Sequence, residues 1–220
     1  MTDEPSGFHE RVREAYDAEV TPRRAEMRRL AAAMRLVIER LVATTAPEAA
    51  ISAAAEALEA VAASLEGYPQ GRLFEGFAET ANAGDPHAFF DHSPIIGRAN
   101  PIAPPVELGV VGEKVEGTAR FGSAYEGPPG CVHGGHIAAA FDEVLGMTQS
   151  LSGQPGMTGT LTVRYRRPTP LHADLRFEGE LVRREGRKIF TEGRLYHGDE
   201  LTATAEAIFI SVDFSRLFGT

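Results

Sequence analysis

The chain holds one cysteine, Cys131, and no tryptophan among its 220 residues. A lone thiol excludes an intrachain disulfide and any CxxC metal site, and it suits a reducing cytoplasm, the expected location. No apolar run approaches the roughly 18 residues that a membrane span needs. The opening stretch "MTDEPSGFHERVREAYDAEV" has no basic start followed by an apolar core, so it does not read as a signal peptide. Basic charge is also short: 22 Lys and Arg face 31 Asp and Glu, a net charge of −9. That balance argues against general nucleic-acid binding, which rests on clustered cations against phosphates. What remains, 43% hydrophobic and 24% charged, suits one or two globular domains with a sizeable core.

The shortage of cations is uneven. Between Arg164 and Lys188 stand eight basic residues (Arg164, Arg166, Arg167, Arg176, Arg183, Arg184, Arg187, Lys188) against four acids, a local balance of +4. Two readings stay open: solvated strand faces, or a landing site for a small phosphorylated ligand.

The first third reads as helix. Thr21-Pro22 supplies an N-cap and a proline at the first helical position. Met27, Leu30, Met34, Val37 and Leu41 then recur at alternating three- and four-residue steps. After "TTAPE", Ile51, Leu58, Val61 and Leu65 mark the inner face of a second helix, so the pair is expected to form a helical hairpin over residues 1–85 with its linker. The stretch from Tyr68 to Pro94 has no clean period and reads as linker with a short helix. From Val106 the texture changes to short β-rich runs bounded by Gly, Pro or Asp, with "REGR" and "HGDE" as hairpin turns. In "TLTVRYR", Leu161, Val163 and Tyr165 alternate with Thr160, Thr162, Arg164 and Arg166. At least one strand, one helix and then four strands in series imply an antiparallel sheet on a central helix, an α+β domain over residues 86–220. Turns this short exclude the crossovers of a Rossmann fold.

That single helix opens "GPPGCVHGGHIAAAFDEVLG", residues 127–146. Pro128, Pro129 and Gly130 form a turn, so the helix should begin between His133 and Gly135, with the N–H groups of Gly134 and Gly135 at the positive end of its dipole. From Gly135 to Asp142 is about 700° of helical rotation, some 20° short of two turns. Gly135, Ala138 or Ala139, Asp142 and Gly146 thus share a small-residue stripe, while Ile137, Phe141, Val144 and Leu145 are left to pack on the sheet. A carboxylate and an anion-ready helix start are expected to face one cleft, the arrangement that attacks a carbonyl. Taken singly, His133 reads as a cap, the glycines as turn residues and Asp142 as a structural acid.

The motif "HGGHIAAAFDEVLG" resembles the signature of hotdog-fold thioesterases of the phenylacetate-pathway type and the human thioesterase-superfamily group. Over residues 90–213 the resemblance implies a hotdog fold, with an antiparallel sheet wrapped around one central helix. It implies that Asp142, nine residues after His133, is nucleophile or general base, that Gly134 and Gly135 polarise the thioester carbonyl, and that His133 fixes their loop. Thr158, sixteen residues past Asp142, would orient the acid or the water from the neighbouring chain. The basic residues Arg164, Arg166, Arg167, Arg184 and Lys188 become candidates for the phosphates of coenzyme A. One departure stands out: some relatives place Asn or Gln six residues before the His, where this chain has Gly127, leaving Asn100 as the candidate for that role. The implied protein is a cytoplasmic acyl-CoA thioesterase, a homodimer or a homotetramer built as a dimer of dimers, with coenzyme A entering only as part of the substrate and no metal or redox cofactor. The alternatives are a hotdog enoyl-thioester hydratase or dehydratase using His136, and a non-catalytic acyl-thioester-binding scaffold.

Overall fold

The computed structural model describes residues 20–69, 91–104 and 106–212; the acidic N-terminal stretch and most of the expected linker lie outside them. Helix α1 (Pro22–Val42) starts where Thr21 Oγ1 accepts the Arg24 N–H and Pro22 occupies the first turn. Helix α2 (Glu48–Glu66) follows Pro47 and buries no residue. The two helices are where the periodicity puts them, but they do not pack along each other as a hairpin. Instead α1 docks on the following domain through its polar face: Arg28 Nε donates to Asp91 Oδ1 at 2.6 Å, Arg35 Nη1 to the Asn100 carbonyl at 2.8 Å, and Glu39 accepts from the N–H and hydroxyl of Ser123. Those anchors and the buried Ala31 lie about 120° around the helix from the apolar seam, which explains why the seam does not choose the docking face. No helix among the described residues is long and apolar enough to cross a membrane.

The domain itself is a six-stranded antiparallel sheet of β1 (Val106–Val111), β2 (Lys114–Ala119), β3 (Gly156–Tyr165), β4 (Leu175–Glu185), β5 (Lys188–His197) and β6 (Glu200–Ser211). Its spatial order is β1-β2-β4-β5-β6-β3. The expected turns close β4–β5 and β5–β6, with Gly186 and Gly198 in the left-handed conformation that a two-residue hairpin turn requires. Helix α3 (Gly134–Ser150) connects β2 to the edge strand β3 and lies across the sheet. Ile137, Ala140, Phe141, Val144 and Leu145 are at most 2% exposed, and Phe141 meets Phe177 of β4 edge to face at 5.2 Å. This is the hotdog arrangement.

The helix sits close because the sheet is bare beneath it. Gly179 on β4 and Gly193 on β5 are cross-strand partners. A Cβ on Gly179 would overlap the Thr148 hydroxyl and lie 3.2 Å from Val144 Cγ1; one on Gly193 would lie 3.1 Å from both the Phe141 ring and Leu145. Both neighbours are fully buried, so a larger residue must displace the helix. Gly193→Val is expected to cost about 1–3 kcal/mol by overpacking and to lower Tm by several degrees. Thermal melting of the purified variant checks this; an unchanged Tm would mean that α3 yields freely.

Candidate active site

The loop before α3 is fixed by its own backbone. Gly127 N–H donates to the Cys131 carbonyl and Cys131 N–H to the Pro128 carbonyl, both at 2.9 Å, while Glu126 Oε1 takes the Gly130 N–H at 2.6 Å. His133 N–H then reaches the Tyr125 carbonyl, leaving His133 in extended conformation as N-cap. Its Nδ1 accepts the Gly135 N–H at 3.0 Å, so the neutral ring carries its proton on Nε2. The expectation of two free glycine N–H groups is therefore corrected: Gly135 is consumed by the cap, and among the described residues only the Gly134 N–H at this helix start is left unengaged. Tyr165, at the end of β3, donates its hydroxyl to the Gly134 carbonyl at 2.8 Å and lays its ring against Gly134.

Asp142 is half-buried two turns further on. Thr158 Oγ1, at the start of β3, donates to its Oδ1 at 2.8 Å within the same chain. The expectation that Thr158 arrives from a neighbouring chain is thus corrected; the path of β3 past α3 brings it there directly. A second correction concerns the shared cleft. Gly134 and Asp142 are eight residues apart on one continuous helix, an axial rise of about 12 Å, so one thioester carbonyl cannot touch both in a single chain.

Beside Asp142, Glu143 turns to the other flank of the helix and accepts the Ser93 hydroxyl at 2.7 Å. Ser93 is itself buried and takes the N–H groups of Ile95 and Ile96 on its oxygen. Burial pushes the Glu143 carboxyl above its usual range; the Ser93 hydrogen bond opposes the shift and the Asp142 charge adds to it. His136 lies edge-on to Tyr125 at 5.0 Å, and burial, aided by His133, pushes its pKa down. Six residues of helix turn His136 about 120° away from Asp142.

The remaining candidates separate. Asn100 does not reach the site: its Nδ2 donates to the His92 carbonyl and its Oδ1 accepts the Ile102 N–H, so the side chain ties up its own loop. The departure at Gly127 has a steric cause, since a Cβ there would lie 2.8 Å from His133 Cα. The basic island is two groups. Arg164 pairs across from Thr204 and Lys188 from Ile210, six residues along β6, which separates them by about 20 Å. Arg164 is bound to Glu206 at 2.5 Å and Arg167 to Glu200 at 3.1 Å, while Arg184 donates to the Gly186 carbonyl at the far end. Arg166 and Lys188 have no side-chain partner among the described residues.

Residues 129–204 match the thioesterase superfamily. A crystal structure described as a thioesterase superfamily protein is 34% identical, with a TM-score of 0.75, covering 84% of this chain and 94% of its own. The chain belongs to the thioesterase superfamily. Because residues 86–220 make up only about three-fifths of the sequence, that likeness reaches into the N-terminal helices. Acyl-coenzyme A thioesterase THEM4 of Xenopus laevis is 38% identical over 93 residues, 41% of this chain and 42% of the relative. THEM4 of Bos taurus is 36% identical over 94 residues, 42% and 38% of the two chains, and acyl-coenzyme A thioesterase THEM5 of Homo sapiens 33% over 86 residues, 39% and 35%. The chain spans less than half the length of these curated relatives.

Within this superfamily site, sequence reasoning missed Tyr165, Ser93 and Glu143. Alternation along β3 put Tyr165 on one face with Leu161 and Val163, a usable signal; nothing local announced that Ser93 meets Glu143 across fifty residues. The Glu143 shift has a measurable sign. Its folded pKa lies above the unfolded value near 4.5, so the folded chain holds this proton more tightly. Its contribution to stability is full below that value and is lost as pH rises through the folded pKa. Glu143→Gln cannot titrate, so the Tm of the variant relative to wild type should climb as pH rises from about 4.5. Melting curves across a pH series test this, and a difference that stays flat would show that the carboxyl is not pushed up.

Proposed function

We propose that the chain is a cytoplasmic acyl-CoA thioesterase, working as a homodimer in which each site draws on two copies. The observation that carries the reading is the carboxylate of Asp142, held by Thr158 on the same helix whose first N–H, Gly134, is unengaged. The rise of about 12 Å between them calls for a second copy to bring its Gly134 to the first copy's Asp142. The membership in the thioesterase superfamily and the names of the curated relatives support the substrate class.

In this reading the partner's Gly134 N–H binds the thioester carbonyl oxygen at the positive end of α3, where negative charge develops. Either Asp142 takes a proton from water, whose hydroxide adds to the carbonyl carbon, or Asp142 attacks and the resulting anhydride is opened by water. In both, the carbon–sulfur bond breaks and coenzyme A leaves as thiolate, which then takes up a proton. Thr158 fixes the carboxylate rotamer. His133 holds the glycine loop through Nδ1 and is not asked to move a proton. Arg166, beside Tyr165 at the end of β3 nearest the helix start, is the foremost candidate for the coenzyme A phosphates, with Arg164 and Arg167 next to it and Arg184 and Lys188 distant. The chemistry calls for no metal or redox cofactor.

The hydratase reading needs His136 and an acid to share one carbon centre, and the 120° between His136 and Asp142 argues against it within a chain. Thiol release from short, medium, long and aryl acyl-CoAs, read beside enoyl-CoA absorbance, separates these activities, and binding without turnover would favour the scaffold. Asp142→Asn should lower kcat by about 10²- to 10⁴-fold with little change in substrate affinity. A near-wild-type rate would return Asp142 to a structural role.

The shared site has its own test. Gly134→Pro removes the key N–H at a helix position that accepts proline, and it should inactivate the enzyme alone. Refolding it together with Asp142→Asn leaves one intact site per mixed dimer, so roughly a quarter of wild-type activity should return. No recovery from a mixture that does associate would place the whole site in one chain.

A further inference from the structure

Both N-terminal helices carry an apolar seam that the described residues leave largely uncovered, with Met27, Met34, Val37 and Leu58 half-buried. On α1, Met27, Leu30, Met34, Val37 and Leu41 step by three and four; on α2, Ile51, Ala54, Leu58, Val61 and Leu65 step in the same way. Each is a two-heptad stripe of the kind that packs knobs into holes against another helix. Yet Leu30, Leu41, Ile51, Val61 and Leu65 are 40–57% exposed, and α2 has no buried residue anywhere along its 19. Most helical stability in proteins comes from packing an apolar face. The described domain takes a side of α1 about 120° away, through Arg28, Arg35 and Glu39, and does not itself cover the α1 seam.

We propose that the partner is a second copy of this chain, with α1 of each copy packing along α2 of the other in a four-helix bundle. Charge selects this pairing. With Arg28, Arg35 and Glu39 turned to the domain, α1 keeps four arginines against one glutamate, +3, while α2 carries four glutamates and no basic residue, −4. Packing α1 on its counterpart, or α2 on its counterpart, sets like charges side by side, whereas α1 on α2 sets opposite ones. Size agrees as well: the positions flanking the α2 seam, Ala55, Ala57, Ala62 and Ser64, are all small and permit close approach. Neither seam contains a residue assigned to the thioester site, so the pairing stands whether or not the chain hydrolyses thioesters.

Disulfide trapping in the full chain decides the matter, because a bond forms only where Cα atoms come within about 7 Å. With Cys131→Ser as background, Met34→Cys and Leu58→Cys place one thiol at the centre of each seam. Mixing the two proteins, one bearing a size tag, and oxidising mildly should give the mixed disulfide between copies, with little from either variant alone. A second mixture of Val37→Cys with Leu58→Cys covers the chance that Met34→Cys misfolds, and circular dichroism confirms the helices in each. An intrachain disulfide in the double variant, disulfides only between like variants, or none from folded protein in either mixture would each overturn the proposal; the last would point to another stretch of this chain, or a different protein, over the seams.

Discussion

The seating of α3 on two facing glycines is the contact on which the rest of the domain depends. Gly179 and Gly193 sit side by side on β4 and β5, and the space their missing side chains leave is filled by Phe141, Val144, Leu145 and Thr148. Each fully buried large apolar side chain contributes about 1.5–3 kcal/mol by leaving water, and it does so only if the helix comes down far enough to close the gap. The period of the buried residues then fixes the roll of the helix. With Phe141 and Val144 turned inward, Asp142 and Glu143 between them must point to the flanks, one toward Thr158 on β3 and the other toward Ser93. The placement of the acid is a consequence of core packing.

The same rigidity limits what one chain can do. A straight helix of 17 residues holds its first N–H and its ninth-residue carboxylate at a fixed separation, and no side-chain rotation brings them together. Thr158 does not bridge the gap; it anchors the acid. Tyr165 anchors the other end by taking the Gly134 carbonyl, so β3 buttresses both halves of the helix. β3 is also one of the two edges of the sheet, with one side unpaired among the described residues, an arrangement that sheets seldom leave open to water without some protection. The strand that supports the chemical groups is thus also an edge strand of the sheet.

Much of this was legible in the sequence, because local signals and tertiary outcome agree. Proline and glycine marked the start of α3 to within a residue, the apolar period gave its buried face, and the glycine turns gave two of the hairpins. What could not be read was reach. The spacing of Gly135 and Asp142 puts them on one stripe, but a shared stripe is an angular statement, and the axial distance decides whether a ligand touches both. The capping choice of His133 was equally hidden, since an imidazole at this position can accept from Gly135 or turn to solvent, and only the backbone geometry of the Tyr125–His133 loop selects between them. The basic island failed for a related reason. Residues close in sequence on neighbouring strands lie at opposite ends of a sheet whenever a long hairpin separates them, and β4 and β5 are long.

The hairpin expectation failed in a more instructive way. Two amphipathic helices joined by five residues would ordinarily close on each other, since their seams match in length and period. Here the stronger local claim comes from three polar anchors that α1 makes to the domain: Arg28 to a 2%-exposed Asp91, Arg35 to two loop carbonyls, and Glu39 to Ser123. A buried carboxylate without its cation is costly, several kcal/mol at such sites, so Asp91 holds Arg28 and with it the roll of the helix. Once that roll is set, the seam on α1 faces about 120° away from the domain, and α2, departing from the end of α1, is buried against none of the described residues. Polar anchoring of one face is what leaves the apolar face available, so the exposed seams follow from the way α1 is held rather than from a weakness in the helices themselves.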